Sequence, residues 1–297
     1  VKMPLPCTGG HEVSGEIVAL GDGVNKKMWA PGDRVAVRLL YNCGECYYCR
    51  TGHANLCERA QKKPVREGLL IGPGGLCDYV IVNTGYLFKI PDTLSYEEAS
   101  LTEPLACVVH SVTKANIQLG EDVVVIGGGI MGQYHVMLAK RRGARVIMSE
   151  VDESRRALAR KLGADITFNP MEKDPVEYVK SLTEGRGADV VFNTTAIPSV
   201  VPQAIAMTGK AGRMIQYSSM HPDAPAPVSP QMLHGNEPIL TGSISPDVHD
   251  FFTANRLLSG GIIDCKPLIA KKFPFEQAQQ AFEAAIVPGT FRGIITD

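Results

Sequence analysis

The stretch Val123-Val124-Val125-Ile126-Gly127-Gly128-Gly129-Ile130-Met131-Gly132 decides the fold of this chain. Its first four residues are apolar, which predicts a fully buried strand of a parallel sheet. Gly127, Gly129 and Gly132 then place the pattern G-x-G-x-x-G in a turn, and a helix is predicted over 133–142. Because the pattern alone also fits an ordinary tight turn between strand and helix, its meaning depends on the residues around it.

The sequence after this turn supplies the context that a dinucleotide needs. A second apolar strand, predicted over Arg145–Met148, leads to Glu150, which lies about 20 residues beyond the glycines. In such a unit the backbone of the turn approaches the pyrophosphate at a helix N-terminus, and the acid accepts hydrogen bonds from the adenosine ribose. We therefore predict dinucleotide binding. The turn residues predicted to surround the phosphates are Gly127, Gly129, Ile130, Met131 and Gly132.

Strand and helix patterns alternate through the middle of the chain, which predicts an α/β fold with a doubly wound parallel sheet and helical crossovers. Its predicted strands are Val123–Ile126, Arg145–Met148, Asp165–Phe168, Asp189–Phe192, Arg213–Tyr217 and Ile239–Thr241. After them come helices predicted over Asp247–Leu258 and Phe275–Ala285 and a closing strand at Gly293–Thr296.

The N-terminal third is predicted to be rich in β-structure, with helices only from about Tyr96 onward. Short runs of β-branched and other apolar residues between turn residues indicate these strands. They are predicted over Glu12–Leu20, Val35–Leu40, Tyr79–Val82 and Leu87–Ile90.

The composition excludes several classes of protein. The chain has 297 residues, of which 44% are hydrophobic, and its formal net charge is −1. This length suggests two domains, and the near-neutral charge gives no reason to expect nucleic acid or a membrane surface as a partner. No apolar run reaches the ~18 residues that span a bilayer, and the start has no apolar signal segment. We therefore expect a cytoplasmic protein.

Four of the eight cysteines lie close together in the pattern C-x2-C-x2-C-x7-C. They are Cys43, Cys46, Cys49 and Cys57. Four thiolates in one short loop suit a tetrahedral zinc ion with no open position, so a structural zinc site is predicted. The alternatives are four free thiols, a redox-active pair of thiols and an iron–sulfur cluster.

A second group of possible metal ligands is spread over two distant segments. His11 and Glu12 follow two glycines near the start of the chain. Pro104 can occupy the first turn of a helix, on which Glu103 and Cys107, four residues apart, would share one face. Imidazole, carboxylate and thiolate all bind zinc. The alternatives are a surface histidine, a helix N-terminal charge and a small buried apolar residue, so these residues alone leave a second metal site open.

Together these segments resemble the zinc-dependent medium-chain dehydrogenases, especially the sorbitol-type enzymes that act on polyols. The resemblance rests on the cysteine cluster, Gly-His-Glu, Glu-Pro-Leu and the glycine turn, and covers nearly the whole chain. It implies a Rossmann domain over 111–246, inserted into a GroES-like catalytic domain formed by 1–110 and 247–297, with a structural zinc lobe at 42–58. It also implies a catalytic zinc, hydride transfer to NAD from an alcohol, and a homodimer or homotetramer.

The resemblance also implies roles for single residues. The catalytic residues would be His11, Glu12 and Glu103, all near or on the metal, with Cys107 as a further candidate ligand. Glu150 should repel the 2′-phosphate of NADP, so NAD is expected to be preferred. Arg155 and Arg156 could instead accept that phosphate, but an arginine at the Arg155 position accompanies this acid in sorbitol-type NAD enzymes. The residues whose backbone is expected to line the nicotinamide pocket are Tyr217, Ser218, Ser219, Ser243 and Ile244.

The family's first catalytic cysteine lies upstream of Gly-His-Glu, in a Gly-Cys-Gly-like segment. Only ten residues precede His11, and Cys7 is the only thiol among them. We therefore expect that this chain lacks the N-terminal part of a longer protein, together with that cysteine.

The leading functional hypothesis is a zinc-dependent oxidoreductase that transfers hydride between NAD and a secondary alcohol, either a polyol or a sugar alcohol. A threonine-type amino-alcohol dehydrogenase and a catalytically impaired or silent NAD-binding protein are the alternatives. The sequence does not identify the alcohol, because substrate pockets are formed by variable loops.

Overall fold

A computed structural model describes residues 6–60, 71–287 and 289–296. The chain divides into two compact units. The first contains the segments Val1–Cys107 and Ser245–Asp297, and the second contains the segment Val108–Ile244.

The strands of the described residues are, in chain order, β1 (Glu12–Glu16), β2 (Arg34–Arg38), β3 (Leu87–Lys89), β4 (Asp122–Ile126), β5 (Arg145–Ser149), β6 (Ile166–Phe168), β7 (Ala188–Asn193), β8 (Thr208–Gln216), β9 (Ile239–Gly242), β10 (Ile269–Pro274) and β11 (Arg292–Thr296). The helices are α1 (Tyr47–Arg50), α2 (Tyr96–Ser100), α3 (Thr102–Ala115), α4 (Ile130–Arg141), α5 (Glu153–Leu162), α6 (Pro175–Leu182), α7 (Val200–Met207), α8 (Pro230–Asn236), α9 (Val248–Ser259) and α10 (Ala278–Ala285).

The second unit is built on a six-stranded sheet in the order β6-β5-β4-β7-β8-β9, with every neighbouring pair parallel. All six strands predicted from the sequence are present, and the largest difference is that β8 begins at Thr208 instead of Arg213. Val123, Val124 and Val125 are fully buried in β4, as expected for a strand covered on both faces. The strand order reverses between β4 and β7, and in such sheets a ligand binds at the carboxyl ends beside this reversal.

The helices of this unit begin and end where the sequence supplies caps. Asp152 accepts a hydrogen bond from the backbone N–H of Arg155 at the start of α5, and Asp174 caps α6 in the same way. Gly143, just after α4, and Gly163, after α5, adopt positive φ angles of 81° and 115°, which end the helices without steric cost. The helices that follow β4 and β5 in the chain therefore have well-defined ends.

The first unit contains an antiparallel sheet in the order β1-β2-β3 and a parallel pair of β10 with β11. Val35, Val37 and Leu39 of the β2 region pack with Ile17 into a small core. Two helices of this unit, α2 and α9, begin with complete capping boxes. This sheet places Glu12, the first residue of β1, opposite Arg38 of β2.

The predicted strand Tyr79–Val82 is wrong: these residues belong to no strand. Val80 and Val82 do pack against the small core, while Tyr79 and Ile81 are 75% and 64% exposed, so the alternation is real. A strand also requires a neighbouring backbone, and none of the described residues pairs with this segment. Strand β1 ends at Glu16, four residues before the predicted Leu20, and Ile17 still exchanges backbone hydrogen bonds with Gly32 and Asp33.

Two other expectations also need correction. A short helix, α1, lies inside the cysteine segment well before Tyr96, where helices were expected to begin. Strand β10 was not predicted, because its Ile-Ala-Lys-Lys-Phe-Pro sequence is only half apolar and becomes a strand by pairing with β11. No helix among the described residues is both long and apolar enough to cross a membrane.

Candidate active site

The glycine turn has the conformation that the pattern predicts. Gly127 directly follows β4 with a φ of 97°, a region that favours glycine. A Cβ atom on Gly132 would lie 1.9 Å from the carbonyl oxygen of Gly127, so only glycine allows α4 to pack this closely on the turn. At Gly129, the N-terminal cap of α4, a Cβ would meet no described atom within 4 Å. The second glycine therefore leaves room in front of the helix N-terminus, where a phosphate can approach.

Glu150 lies at the carboxyl end of β5 and is 6% exposed. Its two carboxylate oxygens accept hydrogen bonds from backbone N–H groups, one from Gly128 at 2.5 Å and one from Asp152 at 2.9 Å. The guanidinium of Arg155 lies 3.9 Å from the same carboxylate. The predicted ribose acid and arginine are thus together, beside the glycine turn.

The loops after the last two strands place further predicted residues at the same edge of the sheet. The backbone N–H groups of Tyr217 and Ser218 both donate to the carbonyl of Asn193, which ends β7, at 3.0 and 3.3 Å. Ser243 follows β9 and donates its N–H to Gln216 at 3.1 Å. Since all these strands are parallel, their carboxyl ends form one edge with the glycine turn. Ser219 and Ile244 continue these two loops, and Ile244 is 63% exposed.

These residues fit a dinucleotide. The turn leaves an open space at a helix N-terminus, and Ile130 and Met131 contribute the first two residues of that helix. The buried Oγ of Ser243 and the buried Nε of Arg155 find no hydrogen-bond partner within the described part of the chain. Buried polar atoms of this kind are usually satisfied, so their position at the predicted cofactor edge is consistent with a polar ligand.

The four clustered cysteines bring their sulfur atoms within 4.8 Å of one another. Backbone N–H groups point at the sulfurs: those of Glu45 and Cys46 donate to Cys43 at 3.5 and 3.4 Å. Similar contacts from Cys49 and Glu58 lower the pKa of Cys46 to about 6, whereas burial raises the pKa of Cys49 to about 12. Four converging sulfurs with N–H donors around them fit a tetrahedral zinc ion.

The second predicted metal group also converges. Ligand atoms of His11, Glu12 and Glu103 all lie within 4.8 Å of one another, and His11 Nε2 is 3.9 Å from Glu103 Oε2. The Glu103 side chain is 6% exposed, and burial raises the pKa of its carboxyl above the ordinary value. A buried carboxylate next to a second carboxylate and an imidazole fits a divalent cation, and the nitrogen and oxygen donors suit zinc.

The two other candidate thiols stand outside this three-residue group. Cys107 lies one turn along α3 from Glu103, and its thiol donates a hydrogen bond to Glu103 Oε1 at 3.3 Å. Burial raises the pKa of Cys107 well above its usual value, so the thiol keeps its proton as a donor to the carboxylate. Cys7 pairs with Ile71 in an isolated bridge and is not part of either converging group of described residues.

His11 is positioned by two interlaced glycine segments that the sequence did not reveal. The N–H of Gly75 contacts the carbonyls of both Gly9 and Gly10 at 2.9 and 3.0 Å. A Cβ on Gly75 would lie 2.7 Å from the Gly10 carbonyl oxygen, so the close approach requires glycine there. The segment just before His11 is therefore fixed by residues more than sixty positions further along the chain.

Sequence reasoning also missed Arg292, the first residue of β11. Its guanidinium donates to the carboxylate of Glu12, and the two residues are 280 positions apart. A lone arginine in a strand carries no signal in a single sequence, because nothing local indicates its partner. The ion pair places a positive charge against the carboxylate of the residue that follows His11.

Comparisons with known proteins identify the family to which this chain belongs. Residues 1–92 match the family model described as the alcohol dehydrogenase GroES-like domain, and residues 131–260 match the model described as zinc-binding dehydrogenase. A D-arabitol-phosphate dehydrogenase from Enterococcus avium is 34% identical over 94% of this chain and 78% of its own length. A sorbitol dehydrogenase from Bacillus subtilis is 32% identical over 93% of this chain and 76% of its own.

Among solved structures, a protein from Sinorhizobium meliloti 1021 described as a zinc-binding dehydrogenase superposes with a TM-score of 0.89. The two sequences are 28% identical, and the match covers 99% of this chain and 84% of the other chain. That protein was solved bound to NADP. The chain described here therefore belongs to the family of zinc-dependent medium-chain dehydrogenases. It combines a Rossmann-type parallel sheet with a GroES-like domain, and it is an alcohol-oxidising enzyme whose cofactors are zinc and NAD.

Proposed function

We propose that this protein oxidises a secondary alcohol group of a polyol or sugar alcohol, with NAD as hydride acceptor. The observation that carries the proposal is the convergence of His11, Glu12 and Glu103 within 4.8 Å. The names of relatives that act on sorbitol and on D-arabitol phosphate support this class of substrate.

In this proposal His11 and Glu103 hold the catalytic zinc, which acts as a Lewis acid on the substrate hydroxyl when it is bound. Glu103 is the buried ligand, and the Cys107 thiol keeps its carboxylate in place by donating to it. Glu12 stays next to the metal and is neutralised by Arg292. Cys107 is thus a support for the ligand Glu103, and it becomes a ligand itself only if it loses its proton.

The structural zinc is assigned to Cys43, Cys46, Cys49 and Cys57, which leave no position open for a substrate. Its contribution is folding energy for a lobe that has little apolar core, and none of these four residues takes part in hydride transfer.

The cofactor site is proposed to use the glycine turn for the pyrophosphate and Glu150 for the adenosine ribose. NAD supplies the hydride chemistry when bound, and the protein binds and orients it. Because Glu150 places a negative charge where NADP carries its extra phosphate, we expect NAD to bind more tightly than NADP. Backbone groups of the loops that begin at Tyr217 and Ser243 are assigned to the nicotinamide end.

We also propose the domain assignment that the resemblance implies, with 1–110 and 247–297 as the catalytic domain and 111–246 as the cofactor domain. A homodimer or homotetramer in the cytoplasm is the expected setting. All eight cysteines are free in the described structure, which agrees with a compartment that keeps thiols reduced.

The test is a panel of polyols, sugar alcohols and amino alcohols, scored by the absorbance of NADH and combined with zinc counting. We expect turnover with polyols or sugar alcohols, and His11→Ala should abolish it and remove a zinc ion. The control is His249→Ala, at an exposed histidine of α9 outside both metal groups. Turnover of amino alcohols alone would favour a threonine-type enzyme, and full activity of His11→Ala would refute the catalytic metal site.

A further inference from the structure

Gln133 is a fully buried polar residue in the first turn of α4, directly after the third glycine of the turn. Its Nε2 amide group donates two hydrogen bonds. One goes to the carbonyl oxygen of Gly128 at 2.9 Å, and the other goes to the carbonyl oxygen of Arg155 at 3.0 Å. A single side chain thus ties the glycine turn to the first turn of α5.

These bonds belong to a closed ring of contacts around Glu150. The peptide N–H of Gly128 donates to the Glu150 carboxylate at 2.5 Å, while its carbonyl is held by Gln133. The guanidinium of Arg155 lies 3.9 Å from the same carboxylate, while the Arg155 carbonyl is held by Gln133. Gly128, Glu150, Arg155 and Gln133 therefore fix one another.

Packing inside the ring is tight. A Cβ on Gly128 would lie 2.9 Å from Cγ of Glu150 and 3.2 Å from Cβ of Arg155. The Glu150 side chain therefore lies directly against the turn, and the direction of its carboxylate depends on where the Gly128 peptide is held. Gln133 is the side chain that holds the carbonyl of Gly128, so it acts on Glu150 through the backbone.

The amide oxygen of Gln133 indicates that stabilising the fold is not the whole role of this side chain. Its Oε1 atom is buried and has no hydrogen-bond partner among the residues that the structure describes. An unsatisfied buried oxygen is unfavourable for folding. Residues that lower stability in this way tend to be found at functional sites.

We propose that Gln133 is a positioning residue that directs Glu150 toward the adenosine ribose and thereby sets the preference for NAD over NADP. The inference rests on the proposed cofactor site. When Gln133 holds both carbonyls, Glu150 stays between the turn and Arg155, and its charge repels a 2′-phosphate. Without it, the Gly128 peptide loses the contact on its carbonyl, so its N–H fixes the direction of Glu150 less well and the carboxylate repels a 2′-phosphate less strongly.

The experiment is equilibrium binding of NAD and of NADP to the full chain by titration calorimetry, together with thermal unfolding. Gln133→Leu removes the amide and keeps a buried side chain of similar volume. We expect its Kd for NAD to rise about tenfold and its Kd for NADP to stay the same or fall. Its unfolding temperature should fall, because the buried carbonyl of Gly128 loses its donor. Adding Gln133→Leu to Glu150→Ala should have little further effect on either Kd, because Gln133 acts through Glu150.

The matched control is Ser111→Ala, which removes a different buried polar contact of the same unit. The Ser111 hydroxyl lies 2.9 Å from Nε2 of His135. It should lower the unfolding temperature and leave the ratio of the two dissociation constants unchanged. An unchanged ratio in Gln133→Leu, or additive effects of Gln133→Leu and Glu150→Ala, would overturn the role of Gln133 while leaving the cofactor site intact. A wild-type chain that binds neither dinucleotide would overturn the cofactor site itself, and the role of Gln133 with it.

Discussion

The guanidinium of Arg292 donates a hydrogen bond to the carboxylate of Glu12, the residue that directly follows His11. The Arg292 side chain is 36% exposed and that of Glu12 23%, so water screens this ion pair only in part. Arg292 lies on β11 near the end of the chain, and Glu12 is the first residue of β1. Two distant segments of the first unit therefore meet at the predicted catalytic metal site.

A double-mutant cycle of Glu12→Gln and Arg292→Met should measure this interaction. We expect each single change to destabilise the protein in urea, and the coupling free energy to be about 1–2 kcal/mol, because the pair is partly buried. Arg256→Met, at an exposed arginine of α9, is the control and should cost much less. A coupling energy near zero would mean that solvent satisfies both charges.

Replacement of Cys46 by serine should remove the structural zinc and leave the cofactor site intact. Because four sulfurs are needed to close a tetrahedral site, the variant should lose about one zinc per chain, and its lobe should be cut faster by protease. NAD binding measured by calorimetry should not change. The control is Cys77→Ser, whose thiol belongs to neither metal group. Unaltered zinc content and thermal stability in Cys46→Ser would show that the four cysteines are free thiols.

The parts of the fold that follow from short-range patterns could be predicted from the sequence. The strand ending at Ile126, the glycine turn and α4 are consecutive in the chain, and Gly132 is required by the carbonyl oxygen of Gly127, only five residues earlier. The four cysteines also lie within fifteen positions of one another. Local spacing in the sequence was therefore enough to predict the parallel sheet. It was also enough to predict that the four cysteine sulfurs lie together.

The remaining features depend on partners far away in the chain. Tyr79–Val82 has the alternation of a strand but no paired backbone among the described residues, so alternation alone gave the wrong answer. The chemistry of their side chains made His11 and Glu103 possible ligands, but only the family resemblance assigned them to one site, because no local pattern links residues so far apart. Arg292 and Gln133 were missed because a single polar residue shows its role only through the groups that it contacts.

The buried histidine of α4 should make stability depend on pH. His135 is fully buried, with Nδ1 2.8 Å from the carbonyl of Met131 and Nε2 2.9 Å from the Ser111 hydroxyl. Burial lowers its pKa to about 4, from an ordinary value of 6.5. Between these values the unfolded chain binds a proton that the folded chain does not. Stability should therefore fall as the pH drops from 6.5 toward 4, by up to about 3 kcal/mol.

Urea unfolding at several pH values in this window can measure the effect. His135→Gln has no group that titrates there, so its free energy of unfolding should fall less steeply with acid than that of the wild type. His234→Gln, at an exposed histidine of α8, should keep the wild-type slope. Equal slopes for wild type and His135→Gln would mean that His135 is already protonated in the folded protein.

The second and third glycines of the turn should respond differently to alanine, because one leaves room for a ligand and the other for the protein. A Cβ on Gly132 would lie 1.9 Å from the Gly127 carbonyl oxygen, so Gly132→Ala must push α4 away from the turn. A Cβ on Gly129 would meet no described atom within 4 Å, and its φ of −64° is accessible to alanine.

We expect Gly132→Ala to lower the unfolding temperature and to weaken NAD binding. Gly129→Ala should keep the wild-type unfolding temperature and still weaken NAD binding, by about tenfold or more, because the new methyl group occupies the space of the pyrophosphate. Calorimetric titration and thermal unfolding of both variants decide this, and wild-type NAD affinity in Gly129→Ala would place the dinucleotide elsewhere.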